Sequence, residues 1–293
     1  MATQLGEQAD GTFSIEKIDL PAPRKPVISN SQIETMEKCG EQYFRRYIKR
    51  DKTAIGLSLI VGSAVDYSVT ANLQSKIEKG SYLNEELIRE FANKEFDRRI
   101  KEAAGELGLL LKMQEKLIGE QAAIQAAREK AIRLALLHYR DVAPKITPMY
   151  VQRVVGVVMP GMPFDLNGII DIQEPDSVRD TKAKKASPPK GTADVDDQLT
   201  MYGMLLYLRG EEIPKRFILD CLVDTKTPKY VPDESTRQES DFEPLIQRIY
   251  TIFEAIKRGV FVPARETDWW CGQDWCGYWE SCKYVKRAQR PAA

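Results

Sequence analysis

The stretch that most constrains this chain is 165–202, DLNGIIDIQEPDSVRDTKAKKASPPKGTADVDDQLTMY. Polar and apolar residues alternate up to Asp171, the period of a half-buried strand. Glu174-Pro175-Asp176-Ser177 then breaks the run, and a second short run follows, Val178-Arg179-Asp180-Thr181-Lys182. Two β-like runs split by a Pro-Asp turn predict a hairpin. Side chains on a strand repeat every second residue, so Asp180 and Lys182 share a face. Asp171, near the end of the preceding strand, can reach that face. Two carboxylates and an ammonium at one point can hold a divalent metal against a phosphate, and carboxylate oxygens suit Mg²⁺ or Mn²⁺. A lysine there can steady or deprotonate an attacking water.

The rest of the chain fits an α/β frame around this stretch. Strands are predicted at 150–159, 164–173, 178–183 and 217–223, the last with a partner near 228–231. Helices are predicted from about Ser29 to Ile48, Ile60 to Lys79, Asn84 to Tyr139 with a break near Gly105–Gly108, Ala193 to Leu208, and Asp241 to Arg258. Residues 1–26 are polar and then proline-rich, which predicts a disordered or loosely docked tail. No stretch there has the apolar core of a signal peptide, and no apolar run approaches membrane-spanning length, so an intracellular, cytoplasmic protein is expected. Lys and Arg together number 43, as do Asp and Glu, so net charge points to no partner. The basic residues nonetheless cluster at Arg45-Arg46 with Lys49-Arg50, at Lys182 with Lys184, Lys185 and Lys190, and from Lys283 to Arg290. Beside the motif regions, such clusters suit a phosphate track. His138 is the single histidine and sits in an apolar helical context, so histidine-based metal sites and triads are nearly excluded and a structural histidine is expected.

Five cysteines without an export signal argue against a disulfide framework. Cys271, Cys276 and Cys282 follow a C-x4-C-x5-C spacing, and Cys39, on the first predicted helix, is a distant fourth thiol. Four thiolates suit either Zn²⁺ or an iron–sulfur cluster. Trp269, Trp270, Trp275 and Trp279 surround the three clustered cysteines. They can shield a metal group or stack on unpaired bases, and shielding is the simpler expectation. Cys221, in Ile218-Leu-Asp-Cys-Leu-Val223, reads as a buried small hydrophobe.

Gly168-Ile-Ile-Asp171, Asp180-Thr-Lys182 and Gln198-Leu-Thr-Met-Tyr202 resemble, in order and spacing, the G-x-x-D, (D/E)-x-K and Q-x-x-x-Y signatures of the PD-(D/E)XK nuclease superfamily, RecB-like branch. The resemblance spans roughly Ser29 to Lys286. It implies a mixed central sheet flanked by helices, with a helical N-terminal part over 27–148, a nuclease core over 149–262 and a C-terminal iron–sulfur lobe over 263–293 that ties back to the first helix. The implied cluster is [4Fe-4S] on Cys39, Cys271, Cys276 and Cys282, with Zn²⁺ as the alternative. The implied site has Asp171, Asp180 and Lys182 as catalytic residues, Mg²⁺ or Mn²⁺ on Asp171, Asp180 and the Thr181 carbonyl, and DNA against Gln198 and Tyr202. Two positions depart from the family pattern. Asp66, in Gly62-Ser-Ala-Val-Asp66, stands where relatives carry a metal-binding histidine and remains a candidate oxygen ligand. Gln152 stands where relatives often carry glutamate. The implied activity is exonuclease hydrolysis of single-stranded DNA or DNA ends, in recombination, repair or phage DNA processing, with recombination or replication proteins as possible partners. The alternatives are a catalytically impaired DNA-end-binding or adaptor protein on the same fold and a zinc-stabilised structural protein.

Overall fold

A computed structural model describes residues 3–7, 13–17, 27–161 and 164–285, with backbone alone at 3–7, 13–17 and 106–107. In chain order the strands and α-helices are β1 (Thr3–Glu7), β2 (Phe13–Lys17), β3 (Val27–Ile28), α1 (Asn30–Lys38), α2 (Gly40–Tyr43), β4 (Ile55–Gly56), α3 (Leu57–Lys79), α4 (Glu85–Glu102), β5 (Leu109–Leu110), α5 (Met113–Ile118) and α6 (Glu120–Leu137). They continue with β6 (Tyr150–Val157), β7 (Asp165–Gln173), β8 (Ser177–Lys184), α7 (Asp197–Leu208), β9 (Arg216–Val223), β10 (Lys229–Ser235) and α8 (Glu243–Lys257). β1 and β2 pair antiparallel within the stretch expected to be a tail; the rest of 1–26 lies outside the described residues, as does the basic run beyond Val285. Among the described residues no helix is long and apolar enough to cross a membrane.

The chain divides into two compact units. The first comprises 1–34, 70–83 and 137–260. Its six-stranded mixed sheet runs β10-β9-β8-β7-β3, with β6 also paired to β7. β8 and β9 are parallel, and α7 is the crossover between them, as a parallel pair requires. The predicted hairpin forms, but β7 and β8 pair only at Ile172–Arg179 and Gln173–Val178, next to the turn. Beyond that point the ladder stops. α7 is buried from Leu199 through Leu208, a helix apolar on all sides because it lies inside the unit. α8 is amphipathic, burying Leu245, Ile246, Ile249, Ile252, Phe253 and Ile256.

The second unit comprises 35–69, 84–136 and 261–293. α4 begins at Asn84, whose side chain accepts from Leu87 N at 2.9 Å, the N-cap arrangement. It buries Ile88, Ala92 and Phe96, while α6 buries Ala123, Ala127, Ala131 and Leu134. The first predicted helix is not continuous. Cys39 has an extended backbone, with φ −164° and ψ 106°, and divides α1 from α2. The reason lies far along the chain: Gly40 N donates to Val262 O at 2.7 Å. A β-carbon on Gly40 would stand 2.5 Å from Val262 N, so only glycine lets the two segments meet this closely.

His138 is buried, and its Nε2 has no hydrogen-bond partner. Burial, helped by the charge of Arg179, lowers its pKa to about 3. A group whose folded pKa lies below its unfolded value near 6.5 makes the unfolded state bind more protons as pH falls through that window, so stability drops below about pH 6.5. His138 alone should remove about 2 kcal/mol by pH 5. Urea unfolding of His138→Gln should therefore show a correspondingly smaller difference between pH 7.5 and pH 5 than the parent. An identical difference in both proteins would mean that His138 is protonated in the folded state.

Candidate active site

Where β7 and β8 part, their side chains fill the gap. Asp180, only 1% exposed, and Lys182, on the same side of β8, are in contact: Lys182 Nζ lies 3.0 Å from Asp180 Oδ1 and 2.8 Å from Oδ2. Asp171 reaches across from β7, where its Oδ2 accepts from Thr181 N at 3.3 Å. Lys182 Nζ also donates to Gln198 Oε1 at 2.9 Å, and Gln198 Nε2 donates to Tyr202 OH at 2.6 Å. The i,i+4 spacing on α7 aligns this pair, and Tyr202 is fully buried. Gly168 carries no side chain where Leu205 and Tyr202 of α7 close against β7. Asp171, Asp180, Lys182, Thr181, Gln198 and Tyr202 are thus brought together within the first unit. Asp66 lies half-buried on α3 in the second unit.

The electrostatics of the gap follow from this packing. Burial raises the Asp180 pKa despite the attraction of Lys182. Burial works against the Lys182 charge, but Asp180, Asp171 and Asp196 outweigh it and raise its pKa, so Lys182 is an ammonium. Burial raises the Tyr202 pKa well above its usual value, and the charges of Asp171 and Asp180 add to this. Among the described residues no three His, Cys, Asp or Glu side chains converge tightly enough to enclose an ion. The donor set nonetheless fits Mg²⁺ or Mn²⁺: hard oxygens, with the buried Asp180 carboxylate beside Asp171 and paired with the Lys182 ammonium.

Asp196 escaped the motif-based reading. It is the N-cap of α7, where its Oδ1 accepts from Leu199 N at 2.9 Å, and its charge is felt by Asp180, Lys182 and Tyr202. An Asp three residues before a leucine at the head of an apolar helix was the available signal. Its approach loop is fastened by residues that carry no motif. Asp233 accepts from Gly191 N and Ala193 N at 3.2 and 2.8 Å, and Arg237 donates to Ala193 O at 2.6 Å and Asp196 O at 3.4 Å.

The opposite side of β8 carries a buried ionic network. Arg179 Nε donates to Glu174 Oε2 at 2.6 Å and its Nη1 to Asp220 Oδ1 at 3.0 Å. Ser177 Oγ and Thr147 N also donate to Glu174, each at 2.7 Å, and Tyr230 OH donates to Asp220 at 2.7 Å. Burial opposes the Arg179 charge, but Asp220 and Glu174 more than restore it and raise its pKa.

Within the second unit, Cys39, Cys271, Cys276 and Cys282 line one cavity together with Trp270, Tyr278 and Trp279. Ala264 N donates to Cys39 Sγ at 3.3 Å, and burial pushes the Cys276 thiol up to about 11. Trp269 and Trp275, expected to shield the cysteines, are not in the lining and stand exposed. Arg45, expected on a phosphate track, is instead engaged by Asp51 and Ser281 at 3.0 and 2.9 Å and packs 4.4 Å over the Tyr278 ring. Cys221 is fully buried in β9, as expected.

With this geometry in view, the sequence model of the PD-(D/E)XK nuclease superfamily matches residues 27–283. The chain belongs to the PD-(D/E)XK nuclease superfamily. No curated protein matches. Four solved chains do. One, a crystal structure from Eubacterium rectale described as a candidate exonuclease, aligns with a TM-score of 0.53 at 16% identity over 91% of each chain, a likeness of fold. Membership supports nuclease function.

Removing one member of a buried ionic network leaves its partners charged and uncompensated. Arg179→Leu should therefore cost about 3–5 kcal/mol in urea unfolding at pH 7. A loss below about 1 kcal/mol, the range of a surface pair, would show that the network does not hold the hairpin.

Proposed function

We propose that this chain is a metal-dependent DNA exonuclease of the RecB-like branch, acting on single-stranded DNA or DNA ends. The observation that supports it most is the contact of Lys182 Nζ with both Asp180 and Gln198, beside Asp171, where β7 and β8 part. PD-(D/E)XK nucleases generally use Mg²⁺ or Mn²⁺. Asp171 and Asp180 would hold it, with the Thr181 carbonyl as a further oxygen donor. When bound, such an ion polarises a phosphoryl oxygen and lowers the pKa of a water. The chain's own part is positioning and charge. Lys182 presents an ammonium to the attacking water or a phosphoryl oxygen and offsets charge that grows in the transition state. Gln198 fixes where that ammonium points, and buried Tyr202 fixes Gln198. Recombination, repair or phage DNA processing is the setting proposed for the activity.

The decisive assay is digestion of end-labelled single- and double-stranded DNA with and without Mg²⁺ or Mn²⁺. The parent should cleave only with metal. Lys182→Ala should lose at least about a hundredfold in rate, the scale of one positioned catalytic group, while still binding DNA. Asp180→Ala should lose metal binding as well as activity. Parent-like rates in both variants would place the active site elsewhere, and a folded parent inert with either metal would favour an end-binding or adaptor role.

The four-thiol cavity supports a [4Fe-4S] cluster as a structural tie within the second unit. Four thiolates suit a cluster or a single zinc ion, and the likeness to cluster-bearing RecB-like nucleases favours the cluster. It would hold 35–69 to 261–293 and so contribute to folding. Cys276→Ser should lower bound iron, measured by absorbance and metal analysis, together with the melting temperature. Colourless parent protein containing zinc would replace the cluster with the zinc alternative, and unchanged metal content in the variant would remove Cys276 from the ligand set.

A further inference from the structure

The outward side of β6 and β7 differs from the rest of the sheet. Along β7, Gly168, Ile170 and Ile172 are buried, while Ile169 is 47% exposed and Asp171 half-buried. Val154 lies directly opposite Ile169 in the antiparallel register and is 67% exposed. Tyr150, at the start of β6, is 45% exposed. The same register pairs Val151 with Ile172 and Arg153 with Ile170 and skips Gln152 between them, level with Asp171 on the neighbouring strand. Gln152 has a φ of 48°, in the left-handed region. A non-glycine residue held there in mid-strand costs energy, and such strain gathers at functional sites. An apolar strip therefore runs up to a candidate catalytic carboxylate, with the strained backbone of Gln152 in the adjoining strand.

The chemistry of the strip selects among forms of DNA. A duplex presents phosphates outward and keeps its base faces stacked inside, so valine, isoleucine and tyrosine have little to hold. Arg153 lies 4.8 Å over the Tyr150 ring, but its charge is met by Glu211 at 2.7 and 2.8 Å, and it donates to Gln173 at 2.7 Å. An unpaired strand presents base faces and sugars, which aliphatic and aromatic side chains cover well. We propose that Tyr150, Val154 and Ile169 seat the base and sugar of an unpaired nucleotide beside the phosphate at Asp171, that Gln152 contacts that nucleotide, and that this strip confers selectivity for single-stranded or frayed DNA. The proposal rests on the nuclease reading of Asp171, Asp180 and Lys182, and the strip's continuity with Asp171 favours DNA over a protein as its occupant.

The test compares the parent with the double variant Val154→Ser, Ile169→Thr on an end-labelled oligothymidylate and on a blunt duplex of equal length, with Mg²⁺. Both positions are exposed, and a melting curve verifies folding. The parent should prefer the single strand, and the double variant should lose about tenfold on it, the scale of lost apolar contact at two aliphatic side chains, while duplex cleavage changes less than about twofold. Gln152→Gly adds a second arm: relief of the left-handed strain should leave the melting temperature equal or higher, while single-strand cleavage falls. An unchanged single-strand to duplex ratio in both variants overturns the proposal, as does a parent that prefers duplex. A changed oligomeric state in size-exclusion chromatography with that ratio unchanged would reassign the strip to a contact between copies of the chain. A folded parent that cleaves neither substrate with either metal would overturn the nuclease reading itself, a result distinct from a nuclease whose ratio does not move.

Discussion

The guanidinium of Arg179, buried between Glu174 and Asp220, is the interaction on which the site depends most. β8 reads Ser-Val-Arg-Asp-Thr-Lys-Ala-Lys, too polar for hydrophobic burial to set its register. A slip of one residue would turn every side chain to the other face of the sheet. That slip would place Arg179 among the carboxylates and bury Asp180 against Glu174 and Asp220. The ion pairs to the turn and to β9 forbid it, because the misregistered strand would confront like charges in a buried setting. One strand thus carries its structural charge on one face and its candidate chemistry on the other, and the first fixes the second.

Much of this was legible in the sequence. Alternation in 165–173, the Pro-Asp turn and the period-2 spacing of Asp180 and Lys182 place the hairpin and its acidic face within a residue or two. The i,i+4 spacing of Gln198 and Tyr202 puts both side chains on one face of α7. What the sequence did not show depends on partners distant in the chain. The break at Cys39 is set by Val262, and nothing near Cys39 announces it except the glycine that follows. The grip on Asp196 comes from Asp233 and Arg237, whose roles appear only once β10 has paired with β9. The early parting of β7 and β8 was likewise invisible, since nothing in local propensity says where a ladder stops.

Gln152 is a case where local preference and structure disagree outright. A glutamine between valine and arginine reads as ordinary strand, yet it takes a left-handed conformation. The ladder skips it, and the pairing is kept on either side, Val151 to Ile172 and Arg153 to Ile170. Sequence rules describe the unstrained chain, so their failure at one position inside an otherwise regular ladder is itself informative.

The division of labour between elements follows from burial. Gln198 and Tyr202, which hold Lys182, stand on α7, the most thoroughly buried helix of the first unit. An orientation fixed from the core changes little unless the core changes, which suits the role proposed for Lys182, meeting a phosphate within fractions of an ångström. The Tyr150, Val154 and Ile169 strip stands on the outward face of β6 and β7, where side chains are exposed and contribute little to packing. Substitutions there are nearly free in stability terms. A chain built this way can alter which form of nucleic acid the proposed strip accepts with little disturbance to Lys182, because the strip is exposed whereas Tyr202, which anchors Gln198 against Lys182, is buried in the core.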